Sequence, residues 1–531
     1  VSISTARIPT TPCASFGNDV LVLAQEGVAG GDFLSWTGTH WDWGGGAAGA
    51  AKLAQKVGDM ISLEADALTN SKAEIEAIEA GKAAAAELKG LGPEAAAVDE
   101  NKLRVAELKD LVAGMKAAQA ALAGRRKKRR QNGVAAKNGS RIKAMLECAA
   151  PHLRRAPDEF NANPLLVVAR SSTLTFVREV DLECPDPDVT RYQWVLKATP
   201  GHRREDLVMA EVPIAYDPTF AGPKWQAFIE RFLPQAAKRR TVQQFCGMGL
   251  TGLPIQLVMF HVGSGANAKS TFLETYTRAL GPSFAVGLPA ESIAGSGERG
   301  PGQASPDLAR VFGKRVLRVL ELKPGAPLQS ALIKRLTGGE KIPVRHLHKG
   351  FFEFQPRAKV HMSGNDFPTF DGSDGGMRRR LLVAVWTEVI ALEEQKDLEE
   401  VVADLLTEAP AILNWLIAGA LDYLNSGLCV AEDVAASTAD YFNDMDPVGM
   451  FTRAHVVDAP GENVQARVMY RAYLAWSAAA TKKPMSETRF GRTMKKKGYR
   501  RADARLHMYL DVRLVEVPEL TLSERSQDFS I

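Results

Sequence analysis

The chain has 531 residues, with 66 Lys+Arg against 62 Asp+Glu, so its net charge of +4 is close to neutral for its length. A composition of 45% hydrophobic and 24% charged residues is that of a globular protein and excludes a disordered tail, a collagen and a small disulfide scaffold. At about 150 residues per domain the length predicts about three or four domains.

The five cysteines (Cys13, Cys148, Cys184, Cys246 and Cys429) form no CxxC pair and have no histidine at metal-ligand spacing, which predicts reduced thiols. The opening VSISTARIPTTPC has neither the basic nor the apolar region of a secretory signal. Apolar runs such as PIQLVMFHV are about half of what spans a bilayer. The expectation is a cytoplasmic protein without a membrane segment.

In chain order, FLSWTGTHWDW (33–43) alternates large aromatics ahead of GGG and predicts a short hairpin with a local aromatic core. From about 47 to 123 the chain is rich in Ala, Glu, Lys and Leu, interrupted at GLGPE (90–94). This predicts two helices forming a hairpin. Leu103, Val105, Leu108, Leu111, Val112 and Met115 follow helical spacing and form either a packing face or a subunit contact. The run GRRKKRR (124–130) reads as a solvated cationic segment, with nucleic-acid contact as the alternative. NPLLVVA and STLTFV (163–177) predict short strands; PKWQAFIERFL (223–233) and RRTVQQFCGMGL (239–250) predict helices.

PIQLVMFHV (254–262) is continuously apolar, as a strand buried on both faces of a parallel sheet must be. It runs into Gly263, Ser264, Gly265, Ala266, Asn267, Ala268, Lys269, Ser270 and Thr271, and then into a helical pattern, FLETYTRAL. Strand, glycine-rich loop, Lys-Ser and helix form the context of a P-loop. In that reading backbone N–H groups cradle phosphates, Lys269 reaches the β/γ oxygens of ATP and Ser270 ligates Mg²⁺. Ala268 departs from the pattern by standing where a second glycine is expected.

RVLRVLEL (315–322) predicts a second buried strand ending in Glu321, placed to act at the metal or the attacking water without an acidic neighbour, because residue 320 is Leu. IPVRH and FFEF predict a hairpin whose tip carries Arg345, His346, His348 and Lys349, a cationic group suited to DNA. RAKVHMSGNDFP (357–368) predicts a third strand ending in Asn365, a polar group able to orient water. Arg378, Arg379 and Arg380 enter a further apolar strand, and one of them at a subunit boundary could serve as an arginine finger.

In the last part, VMYRAYLAWSAAAT (468–481) and SETRFGRTMKKKG (486–498) predict helices, the second with Ser486 as N-cap and Gly498 just past its end. The turn DAPGEN (458–463) precedes them, and alternation in 499–517 predicts a two-stranded wing. This pattern suggests a winged-helix domain made basic by Arg489, Arg492, Lys495, Lys496, Arg500 and Arg501. A protein-contact module is the alternative.

GSGANAKST, DLARVFGKRVLRVLEL, IKRLTGGEKIPVRHLHKGFFEFQP, SGNDFP and GGMRRRL, in this order, resemble the phage and plasmid primase–helicases, a branch of the superfamily 3 helicases, and the helicase part of poxvirus primase–helicases. The resemblance covers about 240–390 and extends more weakly upstream. It implies an AAA+-type α/β P-loop ATPase core assembled as a ring, usually a hexamer, with ATP between subunits and translocation on single-stranded DNA. By motif, Lys269 and Ser270 are the Walker A pair, Glu321 the Walker B acid and metal partner of Ser270, Asn365 sensor 1, and Arg379 or a neighbouring arginine the finger. No primase active site is legible before residue 240, so a separate primase or polymerase is an expected partner. The expected division is an N-terminal Trp-containing and helical region (1–135), a mixed α/β and helical collar (136–240), the ATPase core (241–390), a helical lid (391–440) and the winged-helix-like part (441–531). The function expected is an ATP-dependent helicase acting on single-stranded and forked DNA, in the bacterial host cytoplasm if phage-encoded. The rivals are a replication initiator or assembly factor with weak or no turnover, which Ala268 keeps open, and a DNA-packaging or loader ATPase.

Overall fold

The computed structural model describes residues 18–26, 31–96, 98–183, 190–295, 305–323, 325–345, 350–370, 374–480, 484–503 and 507–515. The chain divides into two compact units: Val1–Phe160 with Lys349–Phe352, and Asn161–His348 with Glu353–Ile531.

The first unit opens with β1 (Val20–Leu23), β2 (Asp32–Trp36) and β3 (Trp41–Asp42), joined edgewise by β4 (Arg154–Arg155) in the order β3-β2-β1-β4. The aromatic hairpin forms as expected: Trp36 pairs with Trp41 across the strands and their rings lie 5.5 Å apart. Three helices follow where two were expected, α1 (Gly46–Ala67), α2 (Lys72–Ala96) and α3 (Lys102–Ala136), and α4 (Gly139–Ala149) comes after them. The extra break arises from a capping box at Ser71 and Glu74. The Ser71 N–H donates to Glu74 Oε2 (2.8 Å) and the Glu74 N–H to Ser71 Oγ (3.3 Å), which starts a new helix. The break at GLGPE is present too, with Gly92 at φ 70° ahead of Pro93.

Where α1 crosses α3 the backbones touch. A Cβ on Gly58 would lie 2.6 Å from the Gly133 carbonyl oxygen, so only glycine fits. Of the expected packing face on α3, Val105 and Leu108 are buried, whereas Leu103 and Leu111 are exposed.

The cationic run is not a bare solvated segment. It lies inside α3, and its arginines reach acids on α1 and α2. Arg125 clamps Glu74 with two bonds of 2.6 and 2.7 Å, Arg129 pairs with Glu64 and Arg130 with Asp66. Lys127 and Lys128 remain exposed.

In the second unit, β5 (Leu166–Ala169), β6 (Ser172–Val180), β7 (Tyr192–Pro200) and β8 (Glu211–Val212) form a sheet in the order β7-β6-β5-β8, followed by α5 (Pro223–Phe232) and α6 (Ala236–Gly247). The central sheet contains β9 (Val258–Val262), β10 (Ala285–Pro289), β11 (Val316–Leu320), β14 (Lys359–Gly364) and β15 (Leu381–Val385). Its order is β10-β11-β14-β9-β15 and every pair is parallel. All residues of β9 and β14 are buried; β9 reads as an apolar run broken only by His261, whereas β14 alternates and buries the polar Lys359, His361 and Ser363. With all strands parallel, the loops leaving β9, β11 and β14 emerge at one edge. β12 (Ile342–Val344) and β13 (Phe352–Phe354) form the separate two-stranded hairpin; its predicted tip residues His346, His348 and Lys349 lie outside the described residues.

One polar chain crosses this core. Trp386 Nε1 donates to His261 Nδ1 (3.1 Å), and His261 Nε2 lies 3.2 Å from His361 Nδ1. An acceptor Nδ1 puts the His261 proton on Nε2, so both rings are neutral. Burial, with Arg318 and Lys269 nearby, pushes His261 down to about 3.

Helices α7 (Lys269–Leu280), α8 (Ser330–Gly338), α9 (Gly375–Arg378), α10 (Leu398–Leu406), α11 (Ala409–Ser426) and α12 (Glu432–Asp444) complete this part. Beyond them, α13 (Pro447–His455), α14 (Ala466–Ala479) and α15 (Glu487–Lys496) pack around Phe451, Tyr473 and Phe490. The expected two-stranded wing has a third strand. β16 (Val456–Gln465) joins β18 (His507–Leu514) and β17 (Arg501–Asp503) in the order β16-β18-β17. The DAPGEN turn is an excursion within β16, where register shifts between Asp458 and Asn463 and Gly461 takes φ 84°. Among the described residues no single helix is long and apolar enough to cross a membrane; α10 and α11 pass that test only as a pair bent by 77°.

Candidate functional site

The loop after β9 turns on residues that tolerate positive φ. Gly265 has φ 106°, Ala266 φ 46° and Ala268 φ 59°, and helix α7 begins at the next residue, Lys269. The left-handed region costs a residue with a Cβ roughly 1–2 kcal/mol. Ala268 is buried, and burying its methyl returns about 0.8 kcal/mol. The net cost of about 1 kcal/mol or less is small enough for alanine to hold here the left-handed conformation that glycine is expected to supply.

Gly263 is required by close approach: a Cβ there would lie 1.9 Å from Asn267 Nδ2 and 2.7 Å from the Trp386 carbonyl oxygen. Asn267 Nδ2 donates to that same oxygen (3.2 Å), and the Ile390 N–H donates to the Ala266 carbonyl (2.7 Å), so the loop is pinned to the chain leaving β15. Gly263→Ala is therefore expected to destabilise the protein by about 1–3 kcal/mol through overpacking. Thermal unfolding checks it; an unchanged Tm would show that Asn267 can move aside.

Lys269 is buried, and its ammonium is held by three acceptors: Gly263 O (3.2 Å), Asn267 Oδ1 (3.2 Å) and Asn365 Oδ1 (2.7 Å). Burial lowers its pKa, and the nearby Glu321 carboxylate works to raise it. Ser270 and Thr271 are half-buried in the first turn of α7; Ser264 is exposed. Glu321 and Asn365 are exposed and directly follow β11 and β14. Residues nearly a hundred positions apart are thus brought together at the strand ends.

A cavity of about 810 Å³ opens on this loop, lined by Ala266 to Thr271 and, from other elements, by the charged Arg231, Glu394, Lys396, Glu400 and Asp404 and the apolar Phe228, Phe232, Ile390, Leu398 and Val401. These apolar lining residues were not identified from sequence, because nothing local distinguishes them from core positions. The loop helix is tied to the β11 strand through Glu274, which pairs with both Arg278 and Arg318.

The three arginines Arg378, Arg379 and Arg380 separate. Arg380 is buried and donates to Gly376 O (3.0 Å), and the Arg378 guanidinium lies over the Phe442 ring at 5.2 Å. Arg379 is exposed, and its side chain has no polar partner among the described residues. Arg345 is half-buried at the end of β12. In α15, Phe490 and Met494 face the core while Arg492, Lys495 and Lys496 are exposed. Arg500 pairs with Asp511. Ser486 stands at the N-cap position of α15 without a side-chain cap bond, and Gly498 takes φ 91° after its end.

The geometry defines the class first: a mixed α/β protein whose parallel sheet carries a strand–glycine loop–helix of P-loop form. Residues 26–234 match the family model D5 N terminal like. The chain is 29% identical over 160 residues to Putative helicase L207/L206 of Acanthamoeba polyphaga mimivirus, covering 29% of this chain and 16% of that protein. It is 28% identical over 172 residues to Putative helicase 022R of Frog virus 3 (isolate Goorha), covering 31% of this chain and 17% of that protein. Each match therefore spans well under a fifth of the relative's length.

Among solved structures, the A form apo structure of the NrS-1 C terminal region aligns with a TM-score of 0.37 at 10% identity, over 56% of this chain and 77% of that chain. JCV Helicase bound to an acetamide compound aligns with a TM-score of 0.26 at 13% identity, over 43% of this chain and 62% of that chain. The family match over residues 26–234, the two viral relatives and the order of motifs support the resemblance to the phage and viral superfamily 3 primase–helicases.

Proposed function

We propose that this chain is an ATP-dependent, ring-forming DNA helicase of phage or mobile-element replication that moves on single-stranded DNA. The observation that carries the reading is Lys269, buried beneath a glycine-rich loop, facing a cavity of about 810 Å³ and bonded at 2.7 Å to Asn365 of the neighbouring strand. That volume suits a nucleotide. Phe228, Phe232, Ile390, Leu398 and Val401 offer an apolar wall to the base, and the loop N–H groups and the N-terminus of α7 face the phosphates.

The hydroxyl of Ser270 and the carboxylate of Glu321 are hard oxygen donors that fit Mg²⁺, which when bound would neutralise phosphate charge. Asn365 would orient the attacking water, and Lys269 would exchange one of its present acceptors for a phosphate oxygen. Arg379 would reach the γ-phosphate held by a neighbour, which makes a ring, expected as a hexamer, part of the site. Arg345 and the tip residues His346, His348 and Lys349 would contact DNA, and Arg492, Lys495, Lys496 and Arg500 would make the C-terminal winged-helix-like part a second DNA surface. Priming would come from a separate primase or polymerase, in the host cytoplasm.

A forked duplex tests the reading. Strand separation that requires ATP is expected, with Lys349→Ala losing more unwinding than basal hydrolysis. Vigorous hydrolysis without any strand separation would instead support a packaging or loader ATPase.

A further inference from the structure

Lys334 lies in the middle of α8, the helix that runs into the β12–β13 hairpin. Its ammonium donates to both carboxylate oxygens of Asp374, at 2.7 and 2.6 Å. The same carboxylate accepts from the Gly376 N–H (2.9 Å) and the Met377 N–H (3.3 Å), capping the single turn α9. Gly376 is needed for this approach, because a Cβ there would lie 2.7 Å from Lys334 Cε. Arg380 fastens the turn a second time through Gly376 O, and Arg379 projects from its end.

The C-terminal end of α8 is fastened as well. Gly339 takes φ 79° at the helix terminus, and its carbonyl accepts from Gln355 Nε2 (2.9 Å), the residue after β13. A continuous set of contacts thus runs from the base of the hairpin, along α8, through one ion pair, to the turn that bears Arg379. Burial of Asp374 favours its neutral form, but the Lys334 ammonium and the two N–H groups outweigh it and hold the carboxyl below its usual range.

We infer that the Lys334–Asp374 pair is a joint that sets the position of Arg379 and links it to the base of the hairpin, so that both are positioning residues for hydrolysis in the adjoining subunit. This inference rests on the proposed function, in which Arg379 acts on a neighbour's nucleotide.

Steady-state ATP hydrolysis of the full-length chain and of mixed subunits tests it. Lys334→Met is expected to lower kcat about tenfold or more while KM for ATP stays within about twofold, the signature of an interaction made only in the transition state. Lys334→Arg should restore most of the rate. Lys334→Met subunits keep their own loop and Glu321, so mixing them with Glu321→Ala subunits, which supply a well-placed Arg379, should recover turnover. A wild-type kcat in Lys334→Met, or a loss that mixing does not recover, would overturn the joint. Should Lys334→Met fail to fold, Asp374→Asn, which keeps a capping oxygen but not the charge, carries the same expectations. Arg379→Ala in the same mixtures separates the two levels. If it hydrolyses ATP normally, the finger reading fails; if it is lost and recovered in trans while Lys334→Met is fully active, only the joint fails.

Discussion

Replacing Lys269 with Ala is expected to abolish the proposed nucleotide turnover, with a fall in kcat of about 10²–10³-fold or more, the usual effect of removing one preorganised donor from a developing charge. The fold should survive. The ammonium is satisfied by two carboxamide oxygens and one carbonyl, and one of these acceptors, Asn365 Oδ1, can turn to water because Asn365 is exposed. The Asn267 side chain stays in place through its Nδ2–H bond to Trp386 O. Removing a desolvated cation also removes the cost that depresses its pKa. Circular dichroism and Tm are therefore expected to stay near wild type while hydrolysis is lost. Unchanged turnover would contradict the loop assignment, and a collapse of Tm together with activity would mark Lys269 as a structural residue.

The second large effect is expected at Arg379. Its two neighbours are occupied, Arg380 inside the subunit and Arg378 against Phe442, whereas Arg379 ends a capped turn and is exposed. Fingers of this kind contribute about 10³–10⁵-fold to hydrolysis. Arg379→Ala should lose a comparable factor with nucleotide affinity nearly intact, because the proposed contact would form across a subunit boundary and mainly in the transition state. Mixing Arg379→Ala with Glu321→Ala subunits should restore part of the rate, since one variant supplies the intact nucleotide site and the other the arginine. No recovery at any ratio would mean that Arg379 acts within its own subunit or not at all.

Much of the site was legible because its parts carry local signatures. β9 is buried on both faces and reads as an apolar run broken only by His261, and the loop and helix after it follow in a fixed order. Asn365 and Glu321 could be placed because each directly follows a predicted strand. The failures have physical causes of two kinds. The basic run at 124–130 looked free because the acids that neutralise it, Glu64, Asp66 and Glu74, lie 51–65 positions earlier, and no local pattern reveals pairs at that separation.

The third N-terminal helix, by contrast, had a local sign that went unread: Ser71 and Glu74 at capping-box spacing. Asp374 is intermediate between these kinds. Its place ahead of Gly-Gly-Met-Arg marks an N-cap, but its bond to Lys334, 40 positions earlier, appears only in the fold. The choice of Arg379 among three arginines in a row also needed the fold: Arg380 is buried and the exposed Arg378 lies over Phe442, which leaves Arg379 exposed at the end of the turn.

The central claim is that the loop and its strand-end partners hydrolyse ATP in the service of DNA. Hydrolysis by the purified full-length chain, measured with and without single-stranded DNA, tests it most directly. The account predicts Mg²⁺-dependent ATP turnover that DNA accelerates. DNA binding with no turnover under either condition would contradict it and leave an assembly factor that merely carries a nucleotide-shaped loop.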